Sequence, residues 1–412
     1  MRIAAIVQRY GVDVVGGAER LCRGVAEGLA AGGHEVEVLT SCARSYQSWA
    51  NAFPEGVSEL AGVRVRRFRA ERERDMAAFN AASERLFGSP RGERDEEAWV
   101  RAQGPFVPAL LDHLQRAAAD FDRLLFFTYL YYPTVHGIRV APDRSVLVPA
   151  AHDEAPIYLP IYEPVFALPA GMIFNSEAEA GFVRSRFSRL PAATTVIGVG
   201  IDHLEELGSA PVSEPGAGDA RLAAAAAPAS SSAAAAPEAA SPPALLYAGR
   251  IEAGKGVDTL IEQLRRFRAE TGTPVSLWLM GEVAMELPAE DWIEVLGFVP
   301  EAEKVRRLRA ATVLMAPSPL ESFGIVLLEA MAAGTPVLAN AASAAAVEHC
   351  RKAGGGLYYR DDAELRAALE LLLADARLRA ALARKGASYV RENYSWPRIV
   401  GRYANFLRAL RP

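Results

Sequence analysis

Within its first 40 residues the chain switches from a strand-like to a helix-like hydrophobic period and back, which limits its fold to few classes. Residues 2–7 (RIAAIV) are a short apolar run with β-branched members, followed by a loop that holds Gly16 and Gly17. From about Ala18 to Ala31, Leu21, Val25 and Leu29 recur every four positions, the spacing of one buried helix face. Gly32 and Gly33 stop that helix, and His34–Leu39 supplies a second strand. Strand, helix, strand is the seed of a parallel sheet covered by helices, because parallel neighbours need a long crossover. Apolar runs at Leu124–Tyr129, Ser145–Ala150 and Gly171–Asn175 extend the pattern, while the charged stretch Arg64–Gln103 is expected to be helical in large part.

Residues 203–243 interrupt this rhythm. Between Ala223 and Ala240, 12 of 18 residues are alanine, broken by Pro228 and Pro237, so the stretch cannot build a core and reads as a flexible spacer. The alternation then restarts. Strands are expected at Leu245–Ala248, Ser276–Met280, Ile293–Leu296, Thr312–Ala316 and Pro336–Ala339, with a helix over Val257–Phe267 and further helices from about Asp362 to the end. Domains at 1–202 and 244–392, joined by the 203–243 linker, form two parallel α/β halves. A cleft at the carboxyl ends of their strands is where ligands bind in such sheets.

Composition excludes several classes. With 51% apolar and 23% charged residues the chain is globular, and a net charge of −5 argues against a nucleic-acid binder. Cys22, Cys42 and Cys350 are scattered without metal-ligand spacing, which fits a reducing compartment. No apolar run approaches the roughly 20 residues that span a bilayer. MRIAAIVQRY turns polar too soon for a secretory signal, so a cytoplasmic protein is expected, with at most peripheral membrane contact.

Two clusters in the second half carry chemistry. Residues 321–336 (ESFGIVLLEAMAAGTP) place Glu321 and Glu329 eight positions apart, with Phe323 and Gly324 where a helix should begin and Gly334 and Pro336 at its end. A helix mouth with a small residue presents free N–H groups to an anion, and the two carboxylates add acceptors for hydroxyls. Phosphate with hydroxyls suggests a nucleotide sugar. The blander alternative packs Ile325, Val326, Leu327, Leu328 and Met331 into a core and leaves Glu329 solvated. The other cluster, GRIEAGKG at 249–256, sets Arg250 just after a strand and Lys255 five residues on at a glycine-bounded turn. Arg250 can fork two phosphate oxygens while Lys255 supplies a point charge.

Together, GRIEAGKGVDTLIE and APSPLESFGIVLLEAMAAGTPVLAN resemble the fourth family of nucleotide-sugar glycosyltransferases (glycosyl transferases group 1). Residues 14–40 and 393–407 resemble that family's N-terminal glycine loop and its C-terminal helix. The resemblance implies the GT-B fold: two Rossmann-like domains facing a cleft, with a helix over about 393–412 crossing back to the N-terminal one. It implies retaining chemistry without metal or cofactor. Carried over by position, Gly16 and Gly17 line the donor phosphates, and Arg250 and Lys255 clamp the diphosphate. Glu321 holds sugar hydroxyls and Glu329 the ribose. Backbone N–H groups of Phe323, Gly324, Ile325 and Val326 meet the sugar or phosphates. His152, after the strand Ser145–Ala150, falls where the family places a histidine beside the transferred sugar, so His152, Glu321, Arg250 and Lys255 form the implied catalytic set. Asp153 and Glu154 are implied to face acceptor hydroxyls.

The implied partners are a nucleotide-sugar donor and a glycan, lipid-linked or small-molecule acceptor. Alternatives are a sugar phosphorylase or sugar-phosphate synthase on the same fold, and a non-catalytic nucleotide-sugar binder. A nicotinamide oxidoreductase is disfavoured, since no GxGxxG follows the first strand of either half. Asp120-Phe121-Asp122 is formally a metal-binding DxD, but it precedes a strand instead of following one and reads as a turn. Ala341–Val347 (AASAAAV) departs from the Gly-Gly-x-x-Glu loop of many family members. Arg64–Arg74 (RVRRFRAERER) reads as a solvated strand edge and helix face, with anionic lipid as the other reading.

Overall fold

A computed structural model describes residues 1–14, 16–89, 95–208 and 242–410. The chain divides into two compact units, Met1–Gly200 with Tyr394–Pro412, and Ile201–Asn393. Nearly all of the alanine-rich stretch lies outside the described residues. Its near flank forms a short helix, Leu204–Gly208.

The first unit is built on eight strands: β1 (Arg2–Ile6), β2 (Glu35–Ser41), β3 (Gly56–Leu60), β4 (Val63–Phe68), β5 (Arg123–Phe127), β6 (Ser145–Val148), β7 (Gly171–Phe174) and β8 (Ala193–Val196). They lie in the order β3-β4-β2-β1-β5-β6-β7-β8, parallel except for the β3–β4 pair. The stretch expected to be helical from Arg64 therefore opens on an internal strand, and among its described residues helices occupy Met76–Gly88 and Glu96–Gln103. Its arginines are largely used inside the fold. Arg66 and Arg64 pair with the buried Glu37 at 2.7 and 3.5 Å, and Arg67 donates to the Tyr10 carbonyl at 3.0 Å.

Helix Gly17–Ala31 buries Leu21, Cys22, Val25, Ala26 and Leu29, the stripe that the spacing predicts. The C-terminal helix Trp396–Ala409 packs on it, burying Ile399, Tyr403, Ala404 and Leu407. The fit has no room for a side chain between them: a Cβ on Gly24 would meet the Trp396 ring at 2.1 Å, and one on Gly28 would meet Val400 at 2.3 Å. Arg123 closes the arrangement, donating to the Leu407 carbonyl at 3.2 Å and to that of Leu410. A cation there matches the negative end of the helix dipole.

The second unit holds six parallel strands: β9 (Ala244–Ala248), β10 (Ser276–Met280), β11 (Ile293–Gly297), β12 (Val313–Ala316), β13 (Val337–Asn340) and β14 (Gly356–Tyr359). Their order is β11-β10-β9-β12-β13-β14, so β9 and β12 lie side by side at the centre. Crossing from β9 to β12, the sheet order reverses direction, and loops leaving two such strands diverge to open a crevice. Both chemical clusters sit on those loops.

Candidate functional site

Arg250 follows β9 after one residue, Gly249. The Tyr247 hydroxyl donates to its carbonyl at 2.6 Å, and its guanidinium stands 3.4 Å from Glu252. One 3-10 turn, Ala253–Lys255, then delivers Lys255, and Gly256 starts helix Val257–Thr271 at φ 73°. A Cβ on Gly256 would lie 2.9 Å from the Pro317 carbonyl oxygen, so the GKG turn presses against the loop that follows β12. Glycine is required there by both conformation and space.

That second loop, residues 317–324, is tied down at its start. Asn340 at the end of β13 donates to the Pro317 carbonyl at 3.0 Å, and the Ser318 hydroxyl donates to that of Leu320 at 3.1 Å. Gly324, at φ 82°, turns the chain into helix Ile325–Ala332. Glu321 and Lys255 meet at 2.9 Å, each about a third exposed (31% and 34%). The two clusters, 66 residues apart in the chain, therefore form one site. Tyr247 lies beneath it: burial raises the phenol above its usual range, and the Glu321 and Glu252 carboxylates add to the effect.

Glu329 is not on a wet face. It is 1% exposed and accepts a hydrogen bond from Lys304 at 2.9 Å. Lys304 comes from helix Glu301–Ala310 and also pairs with Glu301 at 2.9 Å. Sequence reasoning missed Lys304, since a lysine in a charged helix carries no signal of an inward partner.

His349 was missed as well. It lies on helix Ala344–Ala353, is fully buried, and meets the Phe323 ring edge-on with centroids 4.9 Å apart at 88°. The Tyr389 hydroxyl stands 3.1 Å from its Nδ1. Burial lowers the imidazole to about 4, and a hydrogen bond to the Phe323 backbone opposes that shift. The AASAAAV stretch provides the start of this helix, with Ser343 accepting the Ala346 N–H at 3.3 Å as its N-cap.

In the first unit, Gly16 and Gly17 begin helix Gly17–Ala31. A Cβ on Gly16 would fall 2.1 Å from the Glu19 carboxylate. That carboxylate is itself fixed, accepting from Arg9 Nε at 2.9 Å and Gln8 Nε2 at 2.8 Å while all three residues are buried. His152 is a third exposed and its Nε2 lies 3.5 Å from Glu154, whose other oxygen accepts from the Tyr129 hydroxyl at 2.6 Å. The Asp153 carboxylate accepts from Tyr158 at 2.7 Å. Behind His152, the buried Glu179 accepts from the N–H groups of Ala151 and Asn175, each at 2.6 Å. Burial pushes its carboxyl up to about 8 while those bonds pull the other way.

The DxD pair belongs elsewhere. Asp120 ends a 3-10 turn, and Asp122 accepts the Arg2 N–H at 2.7 Å at the start of β1, the edge of the sheet away from the strands' carboxyl ends. Among the described residues, no helix is long and apolar enough to cross a membrane.

Residues 232–389 match the family Glycosyl transferases group 1, a span that contains Arg250, Lys255, Glu321, Glu329 and His349. The chain is a glycosyltransferase. The enzyme is 27% identical over 423 residues to a glycogen synthase of Mycobacterium tuberculosis, covering 97% of this chain and 92% of the relative. Among solved structures, the glycosyltransferase is similar to sucrose-phosphate synthase from Thermosynechococcus elongatus (TM-score 0.69, 18% identity, 100% and 99% of the two chains). It is also similar to Anabaena HepE in complex with UDP-glucose (TM-score 0.64, 18% identity, 100% of both chains). Its α/β fold with two parallel-sheet domains is that of the GT-B glycosyltransferases.

Proposed function

We propose that the enzyme moves a sugar from a nucleotide-diphosphate donor, with retention and without a metal. The acceptor is a glycan, a lipid-linked sugar or a small molecule, in cell-surface polysaccharide or glycoconjugate synthesis on the cytoplasmic side. The observation that carries this reading is the 2.9 Å pair between Lys255 and Glu321 beside Gly324 at a helix mouth. It joins a cation suited to a diphosphate, a carboxylate suited to sugar hydroxyls, and backbone N–H groups suited to either.

Breaking the sugar–phosphate bond builds negative charge on the leaving diphosphate and positive charge on the ring. Arg250, Lys255 and the N–H groups at Gly324–Val326 stabilise the diphosphate, and donors pre-aimed in this way are worth about 3–4 kcal/mol each. Lys255 exchanges its Glu321 oxygen for a phosphate, freeing Glu321 to accept from sugar hydroxyls. Glu329 takes the ribose hydroxyls, and Gly16, Gly17 and His152 keep the roles that the resemblance gives them. The leaving phosphate takes the acceptor's proton as the new bond forms on the same face of the ring, so neither glutamate acts as a general base. HepE holding UDP-glucose supports a nucleotide-sugar donor.

A thermal-shift panel of UDP-, GDP- and ADP-sugars identifies the donor, since a bound ligand raises apparent stability by mass action. With that donor, Lys255→Ala and Glu321→Ala should each cost about 10²–10³ in turnover. Purified, folded variants that keep wild-type hydrolysis and transfer would remove the assignment.

A further inference from the structure

Glu179 is 3% exposed, and its two carboxylate oxygens serve different loops of the first unit. It stands in the first turn of helix Glu177–Arg186, where the Ser176 hydroxyl caps the helix by accepting the Glu179 N–H at 3.0 Å. A glutamate three residues after such a cap ordinarily reaches back to the backbone at the cap and no further. Oε2 fills that role one residue further back, accepting the Asn175 N–H at 2.6 Å. The other oxygen leaves the helix: Oε1 accepts the N–H of Ala151, 28 residues earlier, also at 2.6 Å. Helix capping does not account for that second bond.

Ala151 belongs to the loop that follows β6, and His152 is the next residue. The residue before it, Ala150, has φ 51°, a left-handed conformation that alanine keeps only where its surroundings impose it. The φ and ψ of a residue are the relative orientation of the two planar peptides beside it. On one side of Ala150, the Pro149 carbonyl accepts the N–H of Tyr129, just past β5, at 3.1 Å. On the other, the Ala150–Ala151 peptide gives its N–H to Glu179. Both peptides that define Ala150 are therefore fixed by partners outside the loop. The Tyr129 hydroxyl also donates to Glu154 at 2.6 Å, so His152 lies between two anchored points.

We infer that Glu179 is a positioning residue for His152: its carboxylate holds the Ala150–Ala151 peptide so that the left-handed turn delivers the imidazole in one direction. The place of His152 beside the transferred sugar rests on the reading above, whereas the clamp on the turn does not. Glu179 touches no substrate and acts through the loop. Glu179→Gln keeps the size but replaces one acceptor oxygen with an N–H donor, so it can satisfy only one of the two backbone N–H groups. Ala150→Gly removes the resistance to a left-handed turn, because glycine enters that region without steric penalty. Ala150→Val raises it, since a β-branched residue fits poorly at positive φ.

The test labels the histidines of the full chain with ¹³C at Cε1, assigns His152 by His152→Gln, and reads its signal without any ligand. Glu179→Gln should move the His152 signal and leave the other histidines in place, and adding Ala150→Gly should return it most of the way. Ala150→Val should displace the same signal with the carboxylate intact, and it decides the matter if the Glu179→Gln chain does not fold. A His152 signal that stays put in folded Glu179→Gln or in Ala150→Val overturns the inference. So does a shift in Glu179→Gln that Ala150→Gly leaves untouched, since loss of the charge alone would produce it. With the donor identified by the thermal-shift panel, Glu179→Gln should cost about 10–100-fold in kcat with KM within about twofold, and less than about twofold in a His152→Ala background. Equal losses in the two backgrounds would mean that Glu179 does not act through His152, which also refutes the inference. A His152 signal that follows these variants in a chain that turns over no nucleotide sugar would refute the proposed function and leave the clamp standing.

Discussion

Lys304 Nζ lies 2.9 Å from Oε1 of Glu329, a carboxylate only 1% exposed. The pair bridges helix Glu301–Ala310 to the second turn of helix Ile325–Ala332, so the carboxylate assigned to ribose is held by a cation from a separate element. Removing one partner of a buried pair leaves an uncompensated charge, whereas removing both can be nearly neutral. Lys304→Met should therefore cost about 2–4 kcal/mol of stability, and adding Glu329→Gln should recover most of it. Urea unfolding of the two single variants and the double variant decides the matter. Additive losses would mean that the pair contributes nothing to Glu329's position.

Gly256 provides a second test, of how the two clusters are locked together. At φ 73°, with the Pro317 oxygen 2.9 Å from any added Cβ, Gly256→Ala meets both conformational strain and a clash. The conformational part alone is about 1–2 kcal/mol. The clash displaces Lys255 from Glu321, so donor affinity should fall by more than the stability loss explains. Parallel calorimetric titration and thermal melts would measure the two effects. Normal donor affinity in a destabilised Gly256→Ala chain would show that the contact is structural alone.

The same residues mark what the sequence could and could not tell. Arg250, Lys255, Glu321 and Gly324 were legible because glycine-bounded turns and the change from strand to helix period fix them locally, next to strand ends. Lys304 and His349 were illegible because each works through a partner distant in sequence: Glu329 is 25 residues from Lys304, and Tyr389 is 40 from His349. Nothing in helical spacing indicates which neighbour a buried polar side chain will meet. The β3–β4 hairpin was missed for a local reason. Its turn is Ala61-Gly62, with Ala61 at φ 49°, and alanine is not a residue that announces such a turn. The arginines that follow then read as a charged surface, although Val63 and Val65 are buried on one face of the strand and Phe68 on the other.

His349 also predicts a pH dependence. Its imidazole ionises near 4 in the folded chain against 6.5 in a model peptide, so the unfolded chain binds more protons between those values. Stability from this group is fully present above pH 6.5 and is lost as pH falls toward 4. The loss should reach about 2 kcal/mol by pH 5, at 1.36 kcal/mol per pH unit. Glu348, Lys352 and Tyr389 face the ring and do not change the sign. Carboxylates also titrate in this range, so the quantity to measure is the difference between wild type and His349→Phe from pH 7 to 5. Parallel stability curves for the two chains would mean that the buried ring is not the group responsible.

The DxD at Asp120–Asp122 offers a last test, which separates the proposed chemistry from metal-assisted transfer. Asp122 accepts the Arg2 N–H at 2.7 Å and thereby fixes the start of β1 beside β5, and Asp120 closes the preceding turn. Neither carboxylate lies at the carboxyl ends of the strands, where Arg250 and His152 stand. Asp122→Asn should lose about 1 kcal/mol of stability, because an amide accepts that N–H less strongly than a carboxylate does. Turnover in Asp120→Asn, in Asp122→Asn and in wild type with excess EDTA should stay within about twofold of the untreated enzyme, since diphosphate stabilisation is assigned to Arg250, Lys255 and the helix mouth. Activity lost to the chelator and restored by manganese would overturn the metal-free mechanism. A selective collapse of turnover in Asp120→Asn, at unchanged melting temperature, would move the metal question back to this turn.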